Sequence, residues 1–306
     1  MVASRKILVL VNPAAGRGRA ARVRPAVEEF LRGQGAQAVF AEAISGSDTQ
    51  RRAREAAAAG YTHIVALGGD GTFHQILNGA FGQDVVLGLI PAGGGNDIAR
   101  ALDLPADPIA AAHSLLRAPA RAVDVLRVRS ANAPETLYIA AGGLGLDAEA
   151  ARLANGRYRQ LPGILRYIAA ALAAFRGFRP FVLELEVDGA RTSATALLIA
   201  VANSPSYGSG VIVAPSAQLD DGWMDLMFVA PLNWTQILDG LMLALRTGDI
   251  RWPEITRMRA QRVRLSADRS ALFHGDGEIL AEVPVEIELL PQAVRVVAPA
   301  KKWIED

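Results

Sequence analysis

The stretch His63-Ile64-Val65-Ala66-Leu67-Gly68-Gly69-Asp70-Gly71-Thr72 decides the fold. His63–Leu67 is a short apolar run with no breaker and reads as a buried strand. Gly68–Thr72 is a glycine turn, and Thr72–Phe81 continues with helical spacing. Strand, glycine turn and helix in that order are the unit of a parallel sheet covered on both faces.

Working outward, the same unit recurs. Lys6–Val11, Ala36–Ala41 and Val85–Ile90 read as further strands, and Arg19–Arg32 and Asp48–Ala59 as helices. From about Val123 the pattern changes. Val123–Arg129, Thr136–Ala141, Phe181–Val187, Ala194–Ala202, Met224–Val229, Arg262–Ser266, Val285–Leu290 and Val294–Val297 read as strands. Most are joined by turn signals rather than helices, so a mainly antiparallel second domain is expected. Helical segments interrupt it near Leu161–Arg176 and Thr235–Leu245. The expected division is 1–125 and 126–290, with the last strand, within 291–306, a candidate to join the first domain.

Composition bounds the chemistry. The chain has 306 residues, 51% of them hydrophobic, and a net charge of only +1, so it can build a real core. It has no Cys, which excludes disulfides and thiolate-bound metal. Its 32 basic residues are balanced by 31 acidic ones, and no nucleic-acid partner is expected. The apolar run Ile7–Val11 is too short for a signal peptide. The long uncharged stretch Thr192–Leu219 is broken by Pro205, Gly208, Gly210 and Pro215, so a cytoplasmic location is expected.

Three glycine loops follow strands of the first domain. They are Asn12-Pro13-Ala14-Ala15-Gly16-Arg17-Gly18, then Gly68–Thr72, then Pro91-Ala92-Gly93-Gly94-Gly95-Asn96-Asp97. Glycine lets a phosphate approach backbone N–H groups, and a following helix adds the positive end of its dipole. Each loop alone is an ordinary turn. Three after strands of one sheet, at the edge where such sheets bind ligands, point to a nucleotide-phosphate cradle. The first loop lacks the Gly-Lys-Ser/Thr of a Walker P-loop, and it is not the dinucleotide G-x-G-x-x-G.

GGDGT (Gly68–Thr72) resembles the signature of diacylglycerol kinases, sphingosine kinases and related bacterial lipid kinases. NAD kinases and phosphofructokinases carry a related loop. The order NPAAG, GGDGTFHQILNG, PAGGGNDIAR, SPSYGSG, LDDGWMD, HGDGE is similar to the diacylglycerol-kinase-like lipid kinases over nearly the whole chain. The resemblance implies an N-terminal doubly wound α/β nucleotide-binding domain and a C-terminal mainly antiparallel β-sandwich domain that binds lipid, with the active site in a cleft between them.

It also implies ATP and Mg²⁺ as cofactors and a lipid hydroxyl as acceptor. Asn12, Pro13, Ala14, Ala15, Gly16, Ala41, Gly68, Gly69, Asp70, Gly71, Thr72, Phe73, His74, Gln75, Gly93, Gly94, Asn96 and Asp97 would line the ATP site. Asp70 would hold Mg²⁺ or orient the acceptor; taken alone it reads as an N-cap of its own helix. Glu278 matches the general base for the lipid hydroxyl, although Asp276-Gly277 alone reads as a hairpin turn. Asp221, with the carbonyls of Gln218 and Trp223, resembles a Mg²⁺ site, and Asp124 matches an acid near the domain junction.

Two positions depart from the pattern. Gly94 stands where the family carries Thr, and His74-Gln75 where it carries Asn-Glu, so a hydroxyl and a carboxylate toward the nucleotide are lost. His63, His113 and His274 have no metal-ligand spacing and are expected to be structural. Ala151–Leu183 has six Arg, no Asp or Glu, and interleaved large apolar residues. It reads either as a core helix or as a segment peripheral to an anionic inner membrane. An NAD-kinase-like enzyme and a non-catalytic lipid or nucleotide sensor remain as alternatives, and a homodimer stays open.

Overall fold

A computed structural model describes residues 5–299. The chain forms two compact units, one from residues up to Val123 plus the segment from Gln292 onward, the other Asp124–Pro291. The expected joining segment 291–306 lies outside the described residues beyond 299.

In the first unit β1 (Lys6–Val11), α1 (Ala15–Gly33), β2 (Gln37–Glu42), α2 (Gly46–Ala56), β3 (His63–Gly68), α3 (Asp70–Ala80), β4 (Val86–Pro91), α4 (Asp97–Ala101) and α5 (Pro108–Arg117) follow in order. The strands lie β2-β1-β3-β4, each pair parallel. β3 and β4 are buried along their whole length, as apolar runs covered on both faces must be. α1 and α5 pack Val27, Leu31, Ala112 and Leu115 on Ile7, Val9 and Val65. The strand order reverses between β1 and β3, the switch point where such sheets take ligands. Residues Gly16, Arg17 and Gly18 are left-handed (φ 57°, 57° and 81°), so the regular part of α1 begins at Arg19. The short α4 and all of α5 were not anticipated, although Asp107 caps α5 through Ala110 N–H and Pro108 opens it, a standard start signal.

The second unit contains β5 (Ala120–Ser130), which starts in the first unit, β6 (Ala133–Tyr138), β7 (Ala141–Gly145), α6 (Leu146–Asn155), α7 (Gly163–Gly177), β8 (Phe181–Val187), β9 (Ala190–Ala196), β10 (Leu198–Ala202), β11 (Ser206–Tyr207), β12 (Val211–Ile212), β13 (Met224–Val229), α8 (Trp234–Arg246), β14 (Ile255–Ala260), β15 (Arg262–Ala267), β16 (Leu272–Gly275), β17 (Glu278–Glu282) and most of β18 (Val285–Val297). One antiparallel sheet runs β14-β13-β10-β7-β16-β17, and a second runs β18-β15-β8-β9. Leu144, Ile199, Leu226 and Phe273 of the first meet Leu183, Leu185, Val263 and Ile287 of the second in one core, which makes a sandwich. Ala174 of α7 and Leu146 of α6 pack with Ala200, Ala202 and Met227 on the other face of the first sheet, with Ile237 of α8 against the same cluster.

Four strands of the sequence reading come out differently. Thr136–Ala141 is two strands, because Ile139 and Ala140 give their N–H groups to the Asp276 carboxylate instead of a ladder. Ala194–Ala202 breaks at Leu197, which donates to Val229 O and accepts from Leu146 N–H. Val285–Leu290 and Val294–Val297 are one strand, β18. It pairs with β15 through Val285–Glu288 and with Val86 and Leu87 of β4 through Arg295 and Val296. Pro291, which has no N–H to give, sits between those partners. Helix α6 and strands β11, β12, β14, β16 and β17 are additional elements.

Candidate active site

The three glycine loops of the first unit touch one another. A Cβ on Gly16 would stand 2.0 Å from the carbonyl oxygen of Ala92, and one on Gly93 would stand 2.5 Å from the Cα of Gly69. Only hydrogen fits at these positions, so the first loop closes on the third and the third on the second. Hydrogen bonds fix the same arrangement. Asn12 donates its side-chain amide to Thr72 Oγ1 (3.4 Å) and accepts from Ala14 N–H (3.2 Å). Asn96, itself left-handed at φ 55°, brackets Gly93 by accepting its N–H (3.0 Å) and donating to its carbonyl (3.1 Å).

Asp70 corrects a sequence expectation. Its carboxylate does not cap α3, whose N-cap residue Gly69 has no side-chain cap. It accepts Asp97 N–H at 3.1 Å and Ile98 N–H at 3.0 Å, and so caps α4 and ties GGDGT to the third loop. Asp97 pairs with Arg100 at 2.5 Å. The Phe73 ring is fully buried in the core, which leaves its backbone to border the loop. His74 is buried too. Gln75, where the resemblance leads one to expect a carboxylate, accepts the amide of Gln50 on α2 at 2.7 Å. Gly94 is exposed, with open space where a Cβ would stand. Ala41, next to last in β2, lies beside Leu10 of β1. A set of close-packed glycines with left-handed turns suits a phosphate-bearing nucleotide, since it brings backbone rather than side chains to the surface of the cradle.

In the second unit Asp124 and the LDDGW loop are joined. The Asp124 carboxylate, fully buried, accepts Gly222 N–H at 2.8 Å, and its own N–H donates to Leu219 O at 2.6 Å. Asn203 supports them by donating to Asp124 O and Ile139 O. Asp221 accepts Trp223 N–H at 3.1 Å and pairs with the Arg259 guanidinium. Asp225, a neighbour not singled out in the sequence, lies 3.8 Å from Arg259 and accepts Ser216 Oγ–H at 3.0 Å. Burial pushes its carboxyl above the ordinary range, against the opposing pull of Ser216 and Arg259. Among the described residues no three His, Asp or Glu side chains cluster as a metal cage. The expected set, one carboxylate with the carbonyls of Gln218 and Trp223, needs no such cluster. An all-oxygen donor set is the kind a hard cation takes, and a cation there would displace the Arg259 guanidinium from Asp221.

Asp276-Gly277 is the turn of the β16–β17 hairpin, with both residues left-handed (φ 52° and 83°), as an Asp-Gly hairpin requires. Glu278 follows, exposed, opposite Gly275. Three ties steady this turn. The Asp276 carboxylate accepts Ile139 and Ala140 N–H, each at 2.9 Å. Asn155 at the end of α6 donates to Gly277 O at 2.9 Å. His274 Nε2 lies 3.1 Å from Asp147 Oδ2, which also accepts the Tyr207 hydroxyl at 3.4 Å. Burial and the Asp147 charge hold the Tyr207 phenol well above its usual range. His274 is thus a packed structural histidine, but its partner lies 127 residues away and carries no local signal.

The family model described as the diacylglycerol kinase catalytic domain matches residues 6–128, and the YegS C-terminal NAD kinase beta sandwich-like domain matches 140–298. The chain is 29% identical over 297 residues to the diacylglycerol kinase of Bacillus subtilis (strain 168), covering 96% of each. It is 32% identical over 256 residues to the protein named "probable lipid kinase YegS-like" of Pseudomonas fluorescens, covering 82% of each. A solved diacylglycerol kinase structure from Bacillus anthracis str. Sterne shares the fold, with a TM-score of 0.75 at 19% identity over 97% of this chain and 98% of that one. A second solved chain from that organism gives a TM-score of 0.80 at 23% identity, covering 96% of this chain and 95% of that one.

Proposed function

The chain belongs to the diacylglycerol-kinase-like lipid kinases, and from that premise we propose that it transfers the γ-phosphoryl group of ATP to a lipid hydroxyl, with diacylglycerol as the first acceptor to test. The observation that carries the reading is the interlocked set of glycine loops in the first unit. Phosphoryl transfer asks little covalent chemistry of a protein. It asks for held phosphates, neutralised charge and a carboxylate for the acceptor proton.

The backbone of Asn12–Gly16, Gly68–Gln75 and Gly93–Asp97, with Ala41 of β2, would receive the nucleotide. Asp70 would hold that cradle in shape by anchoring the third loop, and its charge would act on a metal-bound triphosphate. Asp221, with the carbonyls of Gln218 and Trp223, would hold Mg²⁺. The ion supplies charge neutralisation for the phosphates when bound. Asp124 shapes that loop from beneath. Glu278, exposed on a turn pinned by Asp276 and Asn155, would take the proton of the lipid hydroxyl as it attacks. Work on such a lipid would bring the enzyme to the cytoplasmic face of a membrane.

The test is transfer of radiolabel from γ-labelled ATP to diacylglycerol, a sphingoid base, ceramide and phosphatidylglycerol, each in mixed micelles with Mg²⁺. Labelled lipid is expected with at least one acceptor. Label in none, or label on NAD instead, would defeat the reading.

A further inference from the structure

Helices α7 and α8 have the composition of buried helices and the exposure of surface ones. α8 carries Trp234, Ile237, Leu238, Leu241, Met242, Leu243 and Leu245 against only four polar side chains. A helix that is apolar nearly all round belongs in a core or against lipid. Yet only Ala244 of α8 is buried, and among the described residues of α7 only Ala170 and Ala174 are. Trp234, Leu238 and Met242 recur every four residues and so form one ridge. They are 48%, 48% and 51% exposed. Leu165 on α7 is 55% exposed and Leu161 just before it 38%. The two helices are neighbours, for the Phe175 ring meets Trp234 edge-on with centroids 4.6 Å apart.

The charge of the neighbouring segment 151–183 points to what covers it. Of the six arginines in 151–183, Arg152 is paired with Glu149 at 2.6 Å, while Arg166 lies over the Tyr167 ring and Arg157 over the Tyr158 ring. Arg157, Arg159, Arg176 and Arg179 are exposed, and Arg176 follows Phe175 directly. The segment holds no acid to pair with them. A symmetric contact between two copies would set these arginines against each other. An anionic bilayer satisfies both features at once, with acyl chains for the ridge, phosphates for the guanidiniums, and an interface that favours Trp.

We propose that the Trp234–Leu238–Met242 ridge of α8, with the exposed end of α7, is the surface that seats this protein on an anionic phospholipid bilayer, while Arg157, Arg159, Arg176 and Arg179 contact lipid phosphates. The proposal rests on the lipid-kinase reading, because an acyl-chain substrate resides in such a bilayer.

The experiment is co-sedimentation of the full chain with sucrose-loaded vesicles, either of equimolar phosphatidylglycerol and phosphatidylcholine or of phosphatidylcholine alone. Wild type is expected to pellet with the anionic vesicles, less so in high salt. Replacing Trp234, Leu238 and Met242 together by Gln is expected to weaken that binding at least about tenfold. Leu238→Gln with Met242→Gln, which leaves the Phe175–Trp234 contact intact, is expected to lose part of it. Replacing the four exposed arginines by Gln is expected to abolish the preference for anionic vesicles. Phosphorylation of short-chain dioctanoylglycerol in solution is expected to be unchanged in the double variant, while phosphorylation of vesicle-embedded diacylglycerol falls.

Wild type that fails to pellet with anionic vesicles overturns the proposal. So do ridge variants that pellet like wild type, or a wild-type dimer that the ridge variants split with vesicle binding unchanged. Sedimentation as expected with no lipid phosphorylated by wild type would defeat the kinase reading and leave the docking surface standing.

Discussion

The carboxylate of Asp70 accepts the backbone N–H of Ile98 at 3.0 Å, across 28 residues of sequence. Its other oxygen accepts Asp97 N–H at 3.1 Å. One side chain of the GGDGT turn therefore sets the position of the third glycine loop. Asp70→Ala is expected to cost about 1–3 kcal/mol, since two N–H groups lose a charged acceptor. Thermal melting and ATP binding should weaken together. A melting temperature equal to wild type would mean that Asp70 has no anchoring role.

Gly16 and Gly94 should respond in opposite ways. A Cβ at Gly16 meets Ala92 O at 2.0 Å, and its φ is 57°. Gly16→Ala is expected to destabilise the first unit by more than about 1 kcal/mol and to weaken ATP binding. At Gly94 nothing lies within 4 Å of a built Cβ. Gly94→Thr is expected to leave stability unchanged and to tighten ATP binding by adding a hydroxyl to the cradle. Melting curves and calorimetric titration with ATP read both.

Asp276 and Glu278 stand two residues apart with different work. Asp276 is buried and accepts two N–H groups at 2.9 Å, whereas Glu278 is exposed. Asp276→Ala should cost about 1–3 kcal/mol and lower activity through a displaced turn. Its KM for lipid and its melting temperature should both move. A melting temperature unchanged in this variant would contradict the anchoring role.

His63 gives the first unit a pH dependence. Burial first, then Arg5 and Arg295, lowers its pKa from 6.5 to about 4. The folded state therefore keeps it neutral while the unfolded chain takes up a proton. Its contribution to stability is full above pH 6.5 and is lost as pH falls from 6.5 toward 4. The loss is on the order of 2–3 kcal/mol. His63→Gln should flatten the denaturation profile between those limits.

Much of this was legible in the residues because the signals were local. The run Lys6–Val11 is a strand with the bounds that its apolar character suggests, and the glycines mark the loops where the sheet needs them. The antiparallel character of the second unit followed from turn signals, and the Asp-Gly hairpin before Glu278 from its dipeptide. What could not be read were closures made in three dimensions. Asp70 taken alone reads as a cap for its own helix, and only the fold shows it reaching Asp97 and Ile98. Asp147 carries no mark until His274 and Tyr207 converge on it. Asp225 and Arg259 gain meaning only when β13 and β14 pair and place them opposite one another. The spacing of α8 was readable as helical, but its exposed ridge depends on what fails to cover it.

The central claim is that a carboxylate at Glu278 serves phosphoryl transfer from ATP to a lipid hydroxyl. The direct measurement is initial-rate label transfer to dioctanoylglycerol by wild type and Glu278→Gln, both at saturating ATP and Mg²⁺. The account predicts labelled lipid phosphate from wild type and a fall of roughly 10²-fold or more in Glu278→Gln, with an unchanged melting curve. Equal rates for the two proteins, or no labelled lipid from wild type, would contradict it.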